Sequence, residues 1–177
     1  NIVHKNLYMN IHSSEKVQQP TANSQQPELK YCYKYPHPAV TADCVIFGFD
    51  ESNIMKVLLI QRGNDPYKGK WAFPGGFMNM DETAEQCARR ELEEETGLKD
   101  VAVEQFYTFT DVNRDPRERV ITVAHYALVK LSEVKGGDDA EKAQWFSLDE
   151  IPSLAFDHEL IFCKALKVLK ERICFEP

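Results

Sequence analysis

No stretch of this 177-residue chain approaches the ~20 consecutive apolar residues that a membrane-spanning helix needs. Its first residues hold no apolar core with a small-residue cleavage site, so no membrane partner is expected and the expected compartment is cytoplasmic. The five cysteines (Cys32, Cys44, Cys87, Cys163 and Cys174) are odd in number, scattered, and never spaced C-x-x-C. That pattern argues against a disulfide framework and against a zinc site, and for buried thiols in a reducing compartment. The chain also lacks a basic cluster free of acids. Its densest is Arg114-Asp115-Pro116-Arg117-Glu118-Arg119, and the net charge is −7. No polymeric nucleic acid is therefore expected as a partner. A small phosphorylated ligand fits such a charge only if a metal supplies the positive counterpart.

The length suits one domain with a real core plus a tail, and no internal repeat is visible. Residues 1–30 are polar and aperiodic and read as a flexible tail; residues 31–177 read as the domain. Cys44–Phe49 and Val57–Arg62 are apolar runs around the turn-rich Asp50-Glu51-Ser52-Asn53, which predicts a hairpin. Trp71–Phe73 predicts a short strand. Val101–Thr110 and Arg119–Lys130 predict two longer strands joined by a turn at Asn113–Arg117, and Gln144–Ser147 another strand. Asp157–Cys174 predicts an amphipathic helix with Leu160, Ile161, Ala165, Leu166, Val168 and Leu169 inward. A mixed sheet with one helix in its midst and one at its end is α+β, or a three-layer sandwich.

The chemistry concentrates after Gly76. Glu82–Thr96 is rich in helix formers and free of Gly and Pro. Asn79 and Asp81 are candidate N-caps, and Gly97 is a left-handed stop with Leu98 as its apolar contact. On that helix Glu91 and Glu94 are i,i+3, and Glu91 and Glu95 are i,i+4, so their carboxylates converge on one side. Ala84, Cys87, Ala88 and Leu92 form another face, small and apolar, suited to a sheet. A solvated acidic face is the plain explanation of such a run. The preceding Trp71-Ala72-Phe73-Pro74-Gly75-Gly76 favours a metal site instead, because its glycines allow close approach and its backbone offers oxygens. Hard oxygen donors suit Mg2+ or Mn2+.

Gly76, Glu82, Arg90, Glu91, Glu94, Glu95 and Gly97, with aliphatic Leu92 and Leu98, follow the spacing G-x5-E-x7-R-E-U-x-E-E-x-G-U. This resembles the signature of the Nudix hydrolases, which split diphosphate linkages in nucleoside diphosphates joined to another group. The resemblance implies a Nudix-type α/β/α sandwich with a mixed β-sheet. It also implies a Mg2+ cofactor, with Mn2+ as a substitute. Glu91, Glu94, Glu95 and the Gly75 carbonyl take the places of metal ligands, Arg90 holds the glutamates, and Glu82 lies near the metal cluster. For the general base it leaves two alternatives: Glu91, or an acid of the Gly136–Glu141 loop, of which Glu141 is the one carried forward.

The substrate is written in the flanking loops. Arg62 and Phe73 before the box, and Arg114 and Arg117 after the next strand, are the candidate substrate-binding residues: aromatics stack a base, arginines hold phosphate or ribose. The wording Trp71–Phe77, Arg114–Arg117 and Arg119–Ala124 is similar to the branch containing ADP-ribose pyrophosphatases, and to the Nudix-like domain of certain metabolic regulators. Pro116 falls a few residues later than the proline many ADP-ribose enzymes carry. The resemblance implies a small-molecule nucleotide substrate, ADP-ribose or a related nucleotide sugar, and a homodimer, since relatives of that branch often pair. Two other readings compete: a house-cleaning nucleoside triphosphate pyrophosphatase, and a non-catalytic ligand sensor. Sensors often have degraded glutamates; here all are present.

Overall fold

The structure, a computed structural model, describes residues 33–137 and 140–175. The expected 1–30 tail, Asp138 and Asp139 lie outside the described residues. The chain divides into two units, Asn1–Tyr35 and Pro36–Pro177, and the second carries the fold. Its elements run β1 (Ala39–Phe49), β2 (Met55–Arg62), β3 (Trp71–Ala72), β4 (Gly75–Phe77), α1 (Ala84–Thr96), β5 (Glu104–Phe109), β6 (Val120–Lys130), β7 (Ala140–Ser147) and α2 (His158–Phe175).

β1 is the axis. It is an apolar run buried from Thr41 to Gly48, as a strand covered on both faces must be. Strand alternation then assigns each face to one helix. Val45 and Phe47 pack with Ile161, Ala165 and Leu169 of α2. Ala42, Cys44 and Ile46 pack with Cys87, Ala88 and Leu92 of α1. The result is an α+β domain with a seven-stranded mixed sheet between two helices, as expected. Among the described residues no helix is long and apolar enough to cross a membrane.

One edge of β1 serves two partners. Phe47, Gly48 and Phe49 pair antiparallel with Val57, Lys56 and Met55 of β2. Thr41, Ala42 and Asp43 pair antiparallel with Phe77, Gly76 and Gly75 of β4. The other edge runs parallel to β6 from Ala39↔Val120 to Phe49↔Lys130. β2 and β1 therefore part company midway, and the segment β3–β4 fills the fork: Ala72 pairs with Ile60 of β2, and the Cys44 N–H reaches the Pro74 carbonyl at 2.8 Å.

Several boundaries differ from the sequence reading. Helix α1 is capped by Thr83, not by Asn79 or Asp81. The Thr83 hydroxyl accepts the Gln86 N–H at 3.2 Å while the Gln86 amide oxygen accepts the Thr83 N–H at 2.8 Å. Asn79 lies a turn earlier, where its N–H donates to the Glu82 carboxylate at 2.7 Å. Thr83→Ala is expected to cost about 1 kcal/mol, read as a shift of the urea midpoint. Gly97 does stop the helix, at φ 77°. The β5 strand is shorter than expected, and β7 begins four residues earlier because β2 supplies its pairing partners. On α2, Leu160 is 65% exposed and not inward; the buried stripe is Ile161, Ala165 and Leu169.

Candidate active site

The turn between β3 and β4 needs glycine for a steric reason. A Cβ on Gly75 would meet the Ala42 carbonyl and Asp43, and one on Gly76 would collide with the Glu91 carboxylate. Without side chains there, α1 closes onto β4 and brings its acids to the fork. Glu95 Oε2 accepts the Gly75 N–H at 2.9 Å.

Arg90 organises the other acids. Its Nε and Nη2 donate to the two oxygens of Glu82 at 2.9 and 2.6 Å. Its Nη1 donates to Glu91 at 2.8 Å and to Glu94 at 2.9 Å. Charge-assisted bonds of this kind are strong and fix geometry. They hold the Glu82 carboxyl down to about 2. Burial pushes Glu91 up from its ordinary value, against those same bonds. Glu95 has no such partner: burial pushes it up to about 8, and the neighbouring Glu91 and Asp43 carboxylates add to the rise. The cluster thus holds more negative charge than Arg90 neutralises.

Among the described residues, no three acidic, histidine or cysteine side chains stand together in a ready metal-holding group. The oxygen donors of Glu91, Glu95 and the Gly75-Gly76 turn nevertheless fit a hard divalent cation.

These groups open into a cavity of about 350 Å³. Of the residues singled out from sequence, Gly75, Arg90, Glu91, Glu95, Arg62, Phe73, Arg114 and Arg117 all line it. Glu94 does not. Its carboxylate is exposed and connects to the site through Arg90. Glu141, at the start of β7, is exposed and also lies off the cavity wall.

The structure adds residues that sequence reasoning passed over. Asp43, in the middle of β1, accepts the Thr122 hydroxyl at 2.6 Å and lies 3.8 Å from Arg114. Arg114 is no solvated turn residue. It is buried, and its Nε and Nη2 bind Asp157 at 3.0 and 2.7 Å. The next residue, His158, is buried and accepts the Phe73 N–H on Nδ1 at 3.0 Å, with its ring stacked on Phe73 at 5.4 Å. That acceptor role requires the neutral imidazole with the proton on Nε2, and burial lowers the pKa of His158 accordingly. Ala155 donates its N–H to the Trp71 carbonyl at 2.8 Å, and Phe156 lines the cavity. Four successive residues ahead of α2's second turn thus support one wall of the site. Their only sequence signal is an Asp-His pair at a helix start.

A mixed sheet between two helices, with a glutamate helix closing on a Gly-Gly turn at a polar cavity, defines a domain for phosphoanhydride chemistry. Residues 37–164 match the model of the NUDIX domain, and the chain belongs to this family of hydrolases acting on phosphorus-containing anhydrides. An ADP-ribose pyrophosphatase of Methanocaldococcus jannaschii is 43% identical over 134 residues, 76% of this chain and 76% of that protein. An ADPR responsive transcriptional repressor of Acinetobacter baylyi is 35% identical over 143 residues, 78% of this chain. The match spans only 57% of the repressor's length. Among solved structures, the NUDIX domain of Shewanella oneidensis NrtR complexed with ADP ribose matches with a TM-score of 0.73 at 32% identity, covering 79% of this chain and 94% of that one.

Proposed function

We propose that this cavity hydrolyses the diphosphate of ADP-ribose, or of a closely related nucleotide sugar, in a reaction dependent on Mg2+ and supported by Mn2+. The observation that carries the reading is the convergence of Glu91 and Glu95 on the Gly75-Gly76 turn, with Arg62, Arg114 and Arg117 around the same cavity. The names of the Methanocaldococcus relative and of the ligand in the Shewanella domain support the choice of ADP-ribose.

In this reading Glu91, Glu94, Glu95 and the Gly75 carbonyl hold the metal. When bound, the ion supplies charge neutralisation at the diphosphate and lowers the pKa of the attacking water. Arg90 keeps Glu91 and Glu94 aimed by the bonds described above. Glu91 is the preferred base, because it lines the cavity and burial raises the proton affinity of its carboxylate. Glu141 remains the alternative and would have to reach in from an exposed position. Phe73 forms part of the wall, and Arg62 and Arg117 offer guanidinium groups to phosphate or ribose.

The test is a substrate panel with Mg2+, Mn2+ or EDTA, covering ADP-ribose, other nucleotide sugars, NADH, dinucleoside polyphosphates and modified dNTPs. AMP and ribose 5-phosphate from ADP-ribose, abolished by EDTA, are the expected products. Turnover of nucleoside triphosphates alone would replace this reading with house-cleaning. Tight binding of ADP-ribose without turnover would make the domain a sensor.

A further inference from the structure

The loop from β5 to β6 supplies Arg114, Asp115 and Arg117 to the cavity wall. Arg114 is tied to Asp157, just ahead of α2. The Asp115 carboxylate accepts the Arg117 N–H at 2.9 Å, and its Nε and Nη2 at 3.0 and 2.7 Å. Those last bonds are internal to the loop, so they shape it without fixing it to the sheet.

The neck of the loop is held by a side chain. Phe109 and Thr122 are the final paired residues of β5 and β6 on this side. Beyond them, among the described residues, no main-chain hydrogen bond joins residues 110–113 to residues 116–119. Arg119 spans that gap. Its Nη2 donates to the Thr110 carbonyl at 2.9 Å, and its Nη1 to the Asp111 carbonyl at 3.0 Å and the Val120 carbonyl at 3.3 Å. The post from which it reaches is rigid. The Arg119 carbonyl accepts the Ala39 N–H at 2.9 Å, and Val120 is fully buried and paired with Ala39 of β1. On the departing arm, Asp111 Oδ1 accepts the Asn113 N–H at 2.9 Å. The carbonyls that Arg119 grips therefore lead into a shaped turn directly before Arg114.

We propose that Arg119 is a positioning residue of the reaction, a clip across the loop neck that keeps Arg114 and Arg117 at the cavity wall. Its part in turnover rests on the proposed reading of the cavity as a nucleoside diphosphate site; the clip itself does not. Arg119 does not line the cavity, so it acts through the loop and not on the ligand. A guanidinium suits the task, because its planar fork of charged donors spans consecutive carbonyls at a fixed angle. A lysine ammonium is a point donor on a flexible stem and reaches such oxygens without fixing their geometry. The acids of α1 are held independently, by Arg90 and by the Gly75 N–H. Loosening the neck displaces the cationic wall and leaves those acids where they are.

Arg119→Met and Arg119→Lys test this on the full chain with three readouts. Trypsin cleavage after Arg117 under native conditions should be about 10-fold faster in the methionine variant, and intermediate in the lysine variant, because the loop opens locally. KM for ADP-ribose should rise about 10-fold and about 3-fold respectively, with kcat within about twofold of wild type. Mn2+ affinity, measured by electron paramagnetic resonance without substrate, should stay within about twofold. Unchanged cleavage in both variants overturns the clip. Loss of Mn2+ affinity and kcat alongside KM would make Arg119 a general support of the fold and overturn its positioning role. If Arg119→Met fails to fold by circular dichroism, Arg119→Lys decides on the same readouts. Wild type that binds ADP-ribose without turnover would sink the proposed hydrolysis, and cleavage with the dissociation constant would then decide the clip. Turnover with faster cleavage but unchanged KM in both variants would keep the hydrolysis and remove the positioning role.

Discussion

Glu95→Gln is expected to lower Mg2+-dependent turnover by about 100-fold or more while making the metal-free protein more stable at pH 8. The two effects have one cause. Glu95 is a buried carboxyl raised to about 8 by loss of solvent and by neighbouring acids. A glutamine keeps the volume and still accepts the Gly75 N–H, so the turn survives. It removes a charge that a metal needs and that the empty fold does not. The sign follows from linkage: a carboxyl whose folded pKa is raised favours the fold below its unfolded value near 4.5. That contribution is lost as pH rises through about 8. The variant's advantage in EDTA should therefore be largest near pH 8 and vanish towards pH 5. Urea melts at both pH values, beside initial rates, check it. Glu93→Gln is the control. Glu93 is exposed and paired with Lys99, so its rate should stay within about twofold of wild type. Unchanged turnover in Glu95→Gln would remove Glu95 from the metal site.

Asp157→Ala is expected to destabilise the domain by about 3 kcal/mol, the lower end for a buried pair that loses one partner. The lower end applies because Asp43, 3.8 Å from Arg114, remains as a second carboxylate. For a domain of this size that is a fall in melting temperature of roughly 6–12 °C. Replacing both members, as in Arg114→Met with Asp157→Leu, should not recover the loss, because it leaves the buried Asp43 without its neighbouring cation. A double variant more stable than Asp157→Ala would mean that Asp43 does not depend on Arg114.

What could be read from sequence was local, and what could not was long-range. Helix α1, its glutamates and its Gly97 stop are written in consecutive residues, because helix spacing converts directly into a face. The β1–β2 hairpin is legible for the same reason. Strand β4 is not: Gly-Gly-Phe has little preference for a strand, and it becomes one only because Thr41–Asp43 of β1 lie beside it. Asp43 was hidden inside an apolar strand, and its role depends on Thr122 and Arg114, both more than 70 positions away. His158 and Phe73 are 85 residues apart. Arg114 and Arg117 sit in a segment that reads as a solvated turn, yet Arg114 is buried by a partner that no local pattern announces.

The divided edge of β1 also separates two kinds of freedom. The loop from Gly63 to Lys70 leaves β2 and returns to β3 through a closed neck. The Arg62 N–H bonds the Lys70 carbonyl at 2.9 Å, and the Gly69 N–H bonds the Arg62 carbonyl at 2.8 Å. Beyond that neck the loop can lengthen, shorten or be exchanged without moving the glycine turn, which is anchored independently to β1. Loop grafts from relatives should therefore change only what Asn64 and Asp65 contribute to the cavity wall, while the glycine turn stays in register. The fork lets this stretch of the cavity wall vary without displacing the turn on which the acids converge.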